Sequence, residues 1–338
     1  MIIEKNILSI VEQYDTFFID VYGVLYNGLS LYDNTLETME ELKKLGKKII
    51  ILSNTTQVSE DAKRGYEQRG MYEGTHYDKF LTSGEYLHYI FSSKSQEISQ
   101  NLGKKISSVK CLFMGNASIF ADSQITKTDS FDCADMMYVG VPRTLYGRVR
   151  IDDLLDENDN PVKIEDVVHQ DWHKLHDPLG RKGPMEFAAV LEKCLEKNKI
   201  LLVANPDMFA HESDSNQKIA PVFAQGILGK YYEKLGGKVL YFGKPYKGIF
   251  EFAKQFTKPN NKIVMVGDTP WTDILGANNA GIDSAMVMTG IAGEFLKDEK
   301  TPLEQRLDKL YGEISYRVSG KQQEGSNRPT HLLERFAK

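Results

Sequence analysis

Short, predominantly apolar runs separated by amphipathic stretches recur along this chain, and that rhythm limits its fold more than any other feature. Thr16–Ile19, Lys48–Leu52, Val109–Met114, Met136–Val139, Ile200–Ala204, Val239–Phe242, Ile263–Val266 and Ser284–Met288 read as strands. They read as buried on both faces, because a half-exposed strand would alternate polar with apolar residues. Between the first two, Leu36, Met39, Leu42 and Leu45 fall at helical spacing and Gly46 ends the pattern, which predicts a helix near Asn34–Leu45. Strand, helix, strand in succession requires crossover connections, hence parallel strands with helices on the sheet faces. The expected class is therefore α/β. Such sheets bind ligands beyond the carboxyl ends of their strands, so chemistry is sought in the residues that follow each apolar run.

The length of 338 residues suggests two domains, each large enough for its own core. With 42 Lys+Arg against 47 Asp+Glu, the chain lacks the basic excess that a polyphosphate backbone requires, so no nucleic-acid partner is expected. Cys111, Cys133 and Cys194 are odd in number and far apart, which points to a reducing cytoplasm and away from a disulfide framework or a zinc knuckle. Glu4 interrupts the N-terminus and no window approaches the roughly 20 apolar residues of a membrane span, so neither a standard signal nor membrane insertion is expected.

From about 145 to 185 the texture turns polar and irregular, with the charged run Asp152–Asp159 and the segment His169–Gly183, and it reads as a surface insertion. In the tail, Leu303–Tyr316 reads as a helix, Ser319–Pro329 as a polar turn-rich stretch and His331–Phe336 as a short docking element. No internal repeat is found.

Four strand ends carry residues capable of chemistry. Asp20 follows the first strand, with Gly23 allowing a sharp turn after it; an Asp there is equally a turn or cap residue. Ser53-Asn54-Thr55-Thr56 follows the second strand and by itself reads as a helix N-cap. Lys244 follows the run 239–242 and precedes Pro245, where a lone lysine is ordinarily solvated. Gly267-Asp268-Thr-Pro-Trp-Thr-Asp273 follows the run 263–266, ahead of a helix expected at Ile274–Ala280, and sets two carboxylates five residues apart, the oxygen-rich grouping that hard cations need. Dinucleotide, P-loop, zincin and EF-hand patterns do not match.

Taken together, Asp20 with Gly23, Ser53 with Asn54, Lys244, and Gly267-Asp268 with Asp273 resemble the four motifs of the haloacid dehalogenase (HAD) superfamily. The interval of about 190 residues between Ser53 and Lys244 resembles the class IIA branch, whose sugar-phosphatase and pyridoxal-phosphatase-like members insert an α/β cap there. The resemblance implies a Rossmann-like parallel-sheet core at 1–83 and 237–300, a cap at 84–236, and a C-terminal extension, 301–338, packing on the core. It implies phosphoryl transfer to Asp20, with Ser53 and Lys244 as catalytic partners and Mg²⁺ as the cofactor. The ion would be held by Asp20, Asp268 and the Tyr22 main-chain carbonyl, with Asp273 acting through its outer shell. Tyr22, Gly23, Asn54, and Asn205 and Asp207 of the cap would contact substrate, expected to be a small phosphorylated metabolite such as a sugar phosphate, pyridoxal phosphate or a nucleotide. A homodimer formed through the cap is compatible with the resemblance.

One position departs from the pattern. Phosphatases of the superfamily carry a second Asp two residues after the first, which protonates the leaving oxygen; here Tyr22 stands in its place. A phenol, losing its proton near pH ~10, is a poor base at neutrality. Tyrosine there resembles the superfamily's dehalogenases, which attack carbon without metal. A phosphate-binding protein without catalysis is the other alternative.

Three further groups invite attention. His169, His173 and His176 with Asp171 and Asp177 have spacing that would gather metal ligands on one helical face, or they decorate an exposed insertion. Arg143, Arg148 and Arg150 either reach a substrate anion or are solvated, the second being expected. Trp271 is expected to pack rather than to form a lid.

Overall fold

In the computed structural model, seven strands form a parallel sheet in the order Ile3–Glu4, His331–Leu333, Asp283–Val287, Ile263–Gly267, Thr16–Ile19, Lys48–Ser53, Lys79–Thr82. The structure describes residues 3–93, 99–100, 103, 105, 109–115, 125–144, 147–162, 167, 172–179, 184–213, 216–313 and 326–338. Both faces of the central strands are covered, which is why their sequences are apolar without alternation. Phe17, Ile19, Ile49, Ile51, Val264, Val266, Ala285 and Val287 enter one core with Met39 and Leu42 of the helix Thr35–Lys44. Their neighbours Phe18, Ile50, Met265 and Met286 are buried as well.

The connections fix where a ligand can bind. From Thr16–Ile19 the chain proceeds outward through Lys48–Ser53 to Lys79–Thr82, whereas Ile263–Gly267 leads to Asp283–Val287 on the other side. The winding therefore reverses between Thr16–Ile19 and Ile263–Gly267, and a crevice opens at the carboxyl ends of that strand pair. Asp20 and Asp268 are the first residues beyond those two ends.

Contacts divide the chain into two compact units: Met1–Ser83 with Ser215–Ile219 and Gly243–Lys338, and Gly84–Asp214 with Ala220–Phe242. The second unit holds a parallel sheet in the order Val239–Tyr241, Ile200–Val203, Met136–Val139, Lys110–Met114, Thr126–Lys127, together with small two-stranded ribbons. Residues 237–242, expected in the core, thus belong to the second unit, where Val239–Tyr241 pairs with Ile200–Val203. A buried parallel strand reads alike in either sheet, so only pairing could decide.

Other expectations are corrected. The region near 145–185 contributes buried Ile151, Leu154, Val162, Trp172 and Leu175, with Trp172 edge-on to Phe223 and against Tyr231. His331–Leu333 is a sheet strand between Ile3–Glu4 and Asp283–Val287. The helix after Asp268 is α-helical only over Leu275–Asn279 and follows a π-helical turn at Pro270–Ile274. The strand Lys79–Thr82 is not legible in the sequence, because Phe80 and Leu81 are its only apolar residues and so short a run does not stand out. Among the described residues no helix is long and apolar enough to cross a membrane.

Candidate active site

Asp20, Asp268 and Asp273 each offer a carboxylate oxygen within 4.8 Å of the others, the one such grouping of metal-type ligands among the described residues. Strand pairing brings the first two together: the Asp20 N–H donates to the Val266 carbonyl at 2.9 Å, continuing the ladder past the end of Thr16–Ile19. The π-helical turn then returns Asp273 toward Asp268, and the Thr269 N–H donates to Asp273 Oδ2 at 3.1 Å. Asp268 accepts from the Thr269 hydroxyl at 3.0 Å and from the Ile291 N–H at 2.6 Å.

Lys244 lies between two of these acids, its Nζ 2.7 Å from Asp20 Oδ1 and 2.7 Å from Asp273 Oδ1. The expectation for a lone lysine is solvation, yet Lys244 is 1% exposed. Asn54 fixes its main chain: the Lys244 N–H donates to Asn54 Oδ1 at 2.7 Å, and Asn54 Nδ2 donates to the Lys244 carbonyl at 3.0 Å. The Ser83 hydroxyl, which sequence reading missed, also donates to Asn54 Oδ1 at 3.0 Å. Asn54, expected at the substrate, thus has its amide directed to the lysine backbone. Ser53 stands at the same sheet edge, 4% exposed, and its hydroxyl accepts from the Thr55 N–H at 3.3 Å.

Three carboxylates against one ammonium leave an excess of two negative charges in a nearly dry place. Burial and the neighbouring carboxylates of Asp273 and Asp20 push the Asp268 carboxyl well above its ordinary range, opposed by the Ile291 N–H and the Thr269 hydroxyl. A hard divalent cation with oxygen ligands relieves this repulsion, so the donor set fits Mg²⁺.

Gly23 is the position where backbone freedom matters. Its φ is +79°, and a Cβ there would lie 2.0 Å from Asp268 Oδ2. Tyr22, just before it, meets Tyr26 edge to face at 5.2 Å, and Tyr26 meets Tyr66 at 5.8 Å in the same manner. Trp271 is 4% exposed and packs edge-on to Phe295, as expected of a packing residue.

Asn205 and Asp207 stand in the second unit, where the Asp207 N–H donates to Asn205 Oδ1 at 2.9 Å. His169 and Asp171 lie outside the described residues. His173 packs on Tyr231, and His176 pairs with Asp159 at 3.0 Å. Arg148, expected to be solvated, is bonded to Glu212 and to the Phe223 carbonyl, with 11% of its side chain exposed. The Arg143 side chain lies outside the described residues.

A family model described as haloacid dehalogenase-like hydrolase matches residues 17–124, and a HAD-hydrolase-like model matches residues 241–309. The chain is 23% identical over 295 residues to phosphoglycolate phosphatase 2 of Arabidopsis thaliana, covering 86% of this chain and 88% of that one. It is 34% identical over 141 residues to a cardiolipin synthase/mitochondrial hydrolase fusion protein of Schizosaccharomyces pombe, and that match spans only 23% of the fusion's length. Among solved structures, a possible sugar phosphatase from Cytophaga hutchinsonii shares the fold with a TM-score of 0.65 at 21% identity, over 100% of this chain and 99% of the other.

Proposed function

Because the chain belongs to the haloacid dehalogenase-like hydrolases, in their class IIA branch, we propose that it is a Mg²⁺-dependent phosphatase of a small phosphate monoester. The observation that carries the proposal is the carboxylate trio with Lys244 seated between Asp20 and Asp273.

In this reading Asp20 is the nucleophile. Its carboxylate oxygen bonds to phosphorus as the ester P–O bond breaks, the departing oxygen taking its proton from solvent, and water then attacks phosphorus, gives up a proton to solvent, and releases the Asp20 carboxylate and orthophosphate. Because the transition state is loose and its charge lies on peripheral oxygens, the protein's task is positioning and neutralisation. Ser53 donates to a phosphoryl oxygen, and Lys244 offsets repulsion between Asp20 and the incoming anion. Asp20, Asp268 and the Tyr22 carbonyl would hold the cation, with Asp273 orienting its surroundings. When bound, Mg²⁺ supplies positive charge against the phosphoryl oxygens. The second unit is assigned the part of a cap, with Asn205 and Asp207 contacting substrate.

Hydrolysis of p-nitrophenyl phosphate tests the proposal, since that leaving group departs without protonation. Turnover that EDTA abolishes and that Asp20→Asn loses is expected. Absent turnover, with thermal stabilisation by a phosphate compound, would favour a binding protein. Halide release from a 2-haloacid without Mg²⁺ would favour carbon chemistry. A panel including phosphoglycolate, sugar phosphates and pyridoxal phosphate would then assign the substrate.

A further inference from the structure

Residues 289–291 follow the strand Asp283–Val287 and belong to none of the strand ends singled out in the sequence, yet they touch the candidate cation site from two directions. On one side, the Ile291 N–H donates to Asp268 Oδ2 at 2.6 Å, and the Ala292 N–H donates to the Asp268 main-chain carbonyl at 3.2 Å. On the other, the Thr289 hydroxyl donates to the Gly23 carbonyl, while the Gly23 N–H donates to the Tyr26 carbonyl at 2.8 Å. The short loop that presents the Tyr22 carbonyl is therefore held at both ends of the Gly23 residue.

Between the two contacts sits Gly290, with φ +57°; a Cβ there would lie 2.0 Å from Asp268 Oδ2 and 2.4 Å from Gly23 Cα. The turn can approach both ligand-bearing segments only because this residue has no side chain.

We propose that the turn 289–291 positions the cation site, one hydroxyl orienting the Tyr22–Gly23 loop and one N–H orienting Asp268, with Thr289 as the positioning residue. This rests on the reading of Asp20, Asp268 and the Tyr22 carbonyl as cation ligands. The turn supplies no ligand of its own; it fixes the directions of oxygen atoms that would otherwise swing apart under mutual repulsion. Groups that orient metal ligands in this way govern affinity without contributing a ligand.

Titration calorimetry of the full chain with Mg²⁺ alone tests it, with the melting temperature in EDTA as the control for folding. Thr289→Val, which keeps the shape and removes the donor, is expected to weaken Mg²⁺ binding by about 10-fold or more. Thr289→Ser, which restores the hydroxyl, is expected to bind within about twofold of the parent. Parent-like affinity in Thr289→Val overturns the inference while leaving the cation site intact. Equal loss in Thr289→Ser overturns it too, because the effect would then follow shape and not the hydrogen bond. If Thr289→Val does not fold, Thr289→Ala decides, and parent-like affinity there overturns the proposal. A parent protein that takes up no Mg²⁺ would remove the cation reading itself, a different outcome.

Discussion

Lys244 and Asp273 form an ion pair at 2.7 Å whose side chains are 2% and 1% exposed, and the same ammonium reaches Asp20 at equal distance. The lysine is the positive member of a buried cluster that carries three carboxylates. Its removal should therefore do more than lose one contact. Breaking a buried pair by deleting one partner costs about 3–5 kcal/mol, because the other charge is left uncompensated. Lys244→Met is expected to lose about this much stability in urea unfolding with EDTA present, and Mg²⁺ should return part of it by binding the folded state. A loss below about 1 kcal/mol would mean that Asp20 or Asp273 is not held charged by Lys244.

Gly23→Ala probes the close approach at Asp268. Left-handed backbone costs a residue with a Cβ about 1–2 kcal/mol, and the added carbon would also meet Asp268 Oδ2 at 2.0 Å. The expected result is a lower melting temperature together with loss of the stabilisation by Mg²⁺. Retention of that response would show that Asp268 can move aside without harm to the cation site.

Lys230, in the second unit, offers a pH signature of its own. Burial pushes its ammonium down to about 8, outweighing Glu233, and burial likewise raises the Glu233 carboxyl, so both members of the pair resist ionisation. The unfolded chain therefore binds more protons than the folded one between about pH 8 and the ordinary lysine value near 10.4, and stability rises with pH across that window. The gain is at most about 3 kcal/mol, at 1.36 kcal/mol per pH unit. Subtracting the unfolding free energies of Lys230→Gln from those of the parent between pH 7 and about 10 should reveal the slope. Parallel curves would show that this lysine titrates as if exposed.

Tyr22→Asp tests what the phenol leaves undone. If Tyr22 occupies the place of a vacant proton donor, the acid should raise hydrolysis of alkyl phosphates far more than of aryl phosphates. General acid–base help is worth up to about 10²–10⁴-fold. Comparing kcat/KM for a glycerol phosphate and p-nitrophenyl phosphate in both proteins measures this. An equal change in the two substrates would remove Tyr22 from the proton-transfer argument.

The amino-acid sequence by itself determined the class of fold and the residues at its reactive edge. Apolar runs without alternation can be stable only when both faces are covered, so the parallel sheets were legible from Thr16–Ile19 and Ile263–Gly267, and the residues following them stood out by type: Asp20, Ser53, Lys244, Asp268, Asp273. What local pattern cannot carry is which strands become neighbours. Val239–Tyr241 looks like a core strand and pairs in the second sheet, and His331–Leu333, legible only as part of a short docking element, docks as a strand of the first. Only the folded chain decided that Lys244 would be stripped of water between two carboxylates, that Asn54 would serve its backbone, and that Thr289 would reach Gly23 across 266 positions of sequence. Period and propensity are properties of a few adjacent residues. Charge neutralisation and close approach depend on which distant segments the whole chain can bury together, and that is settled by tertiary packing.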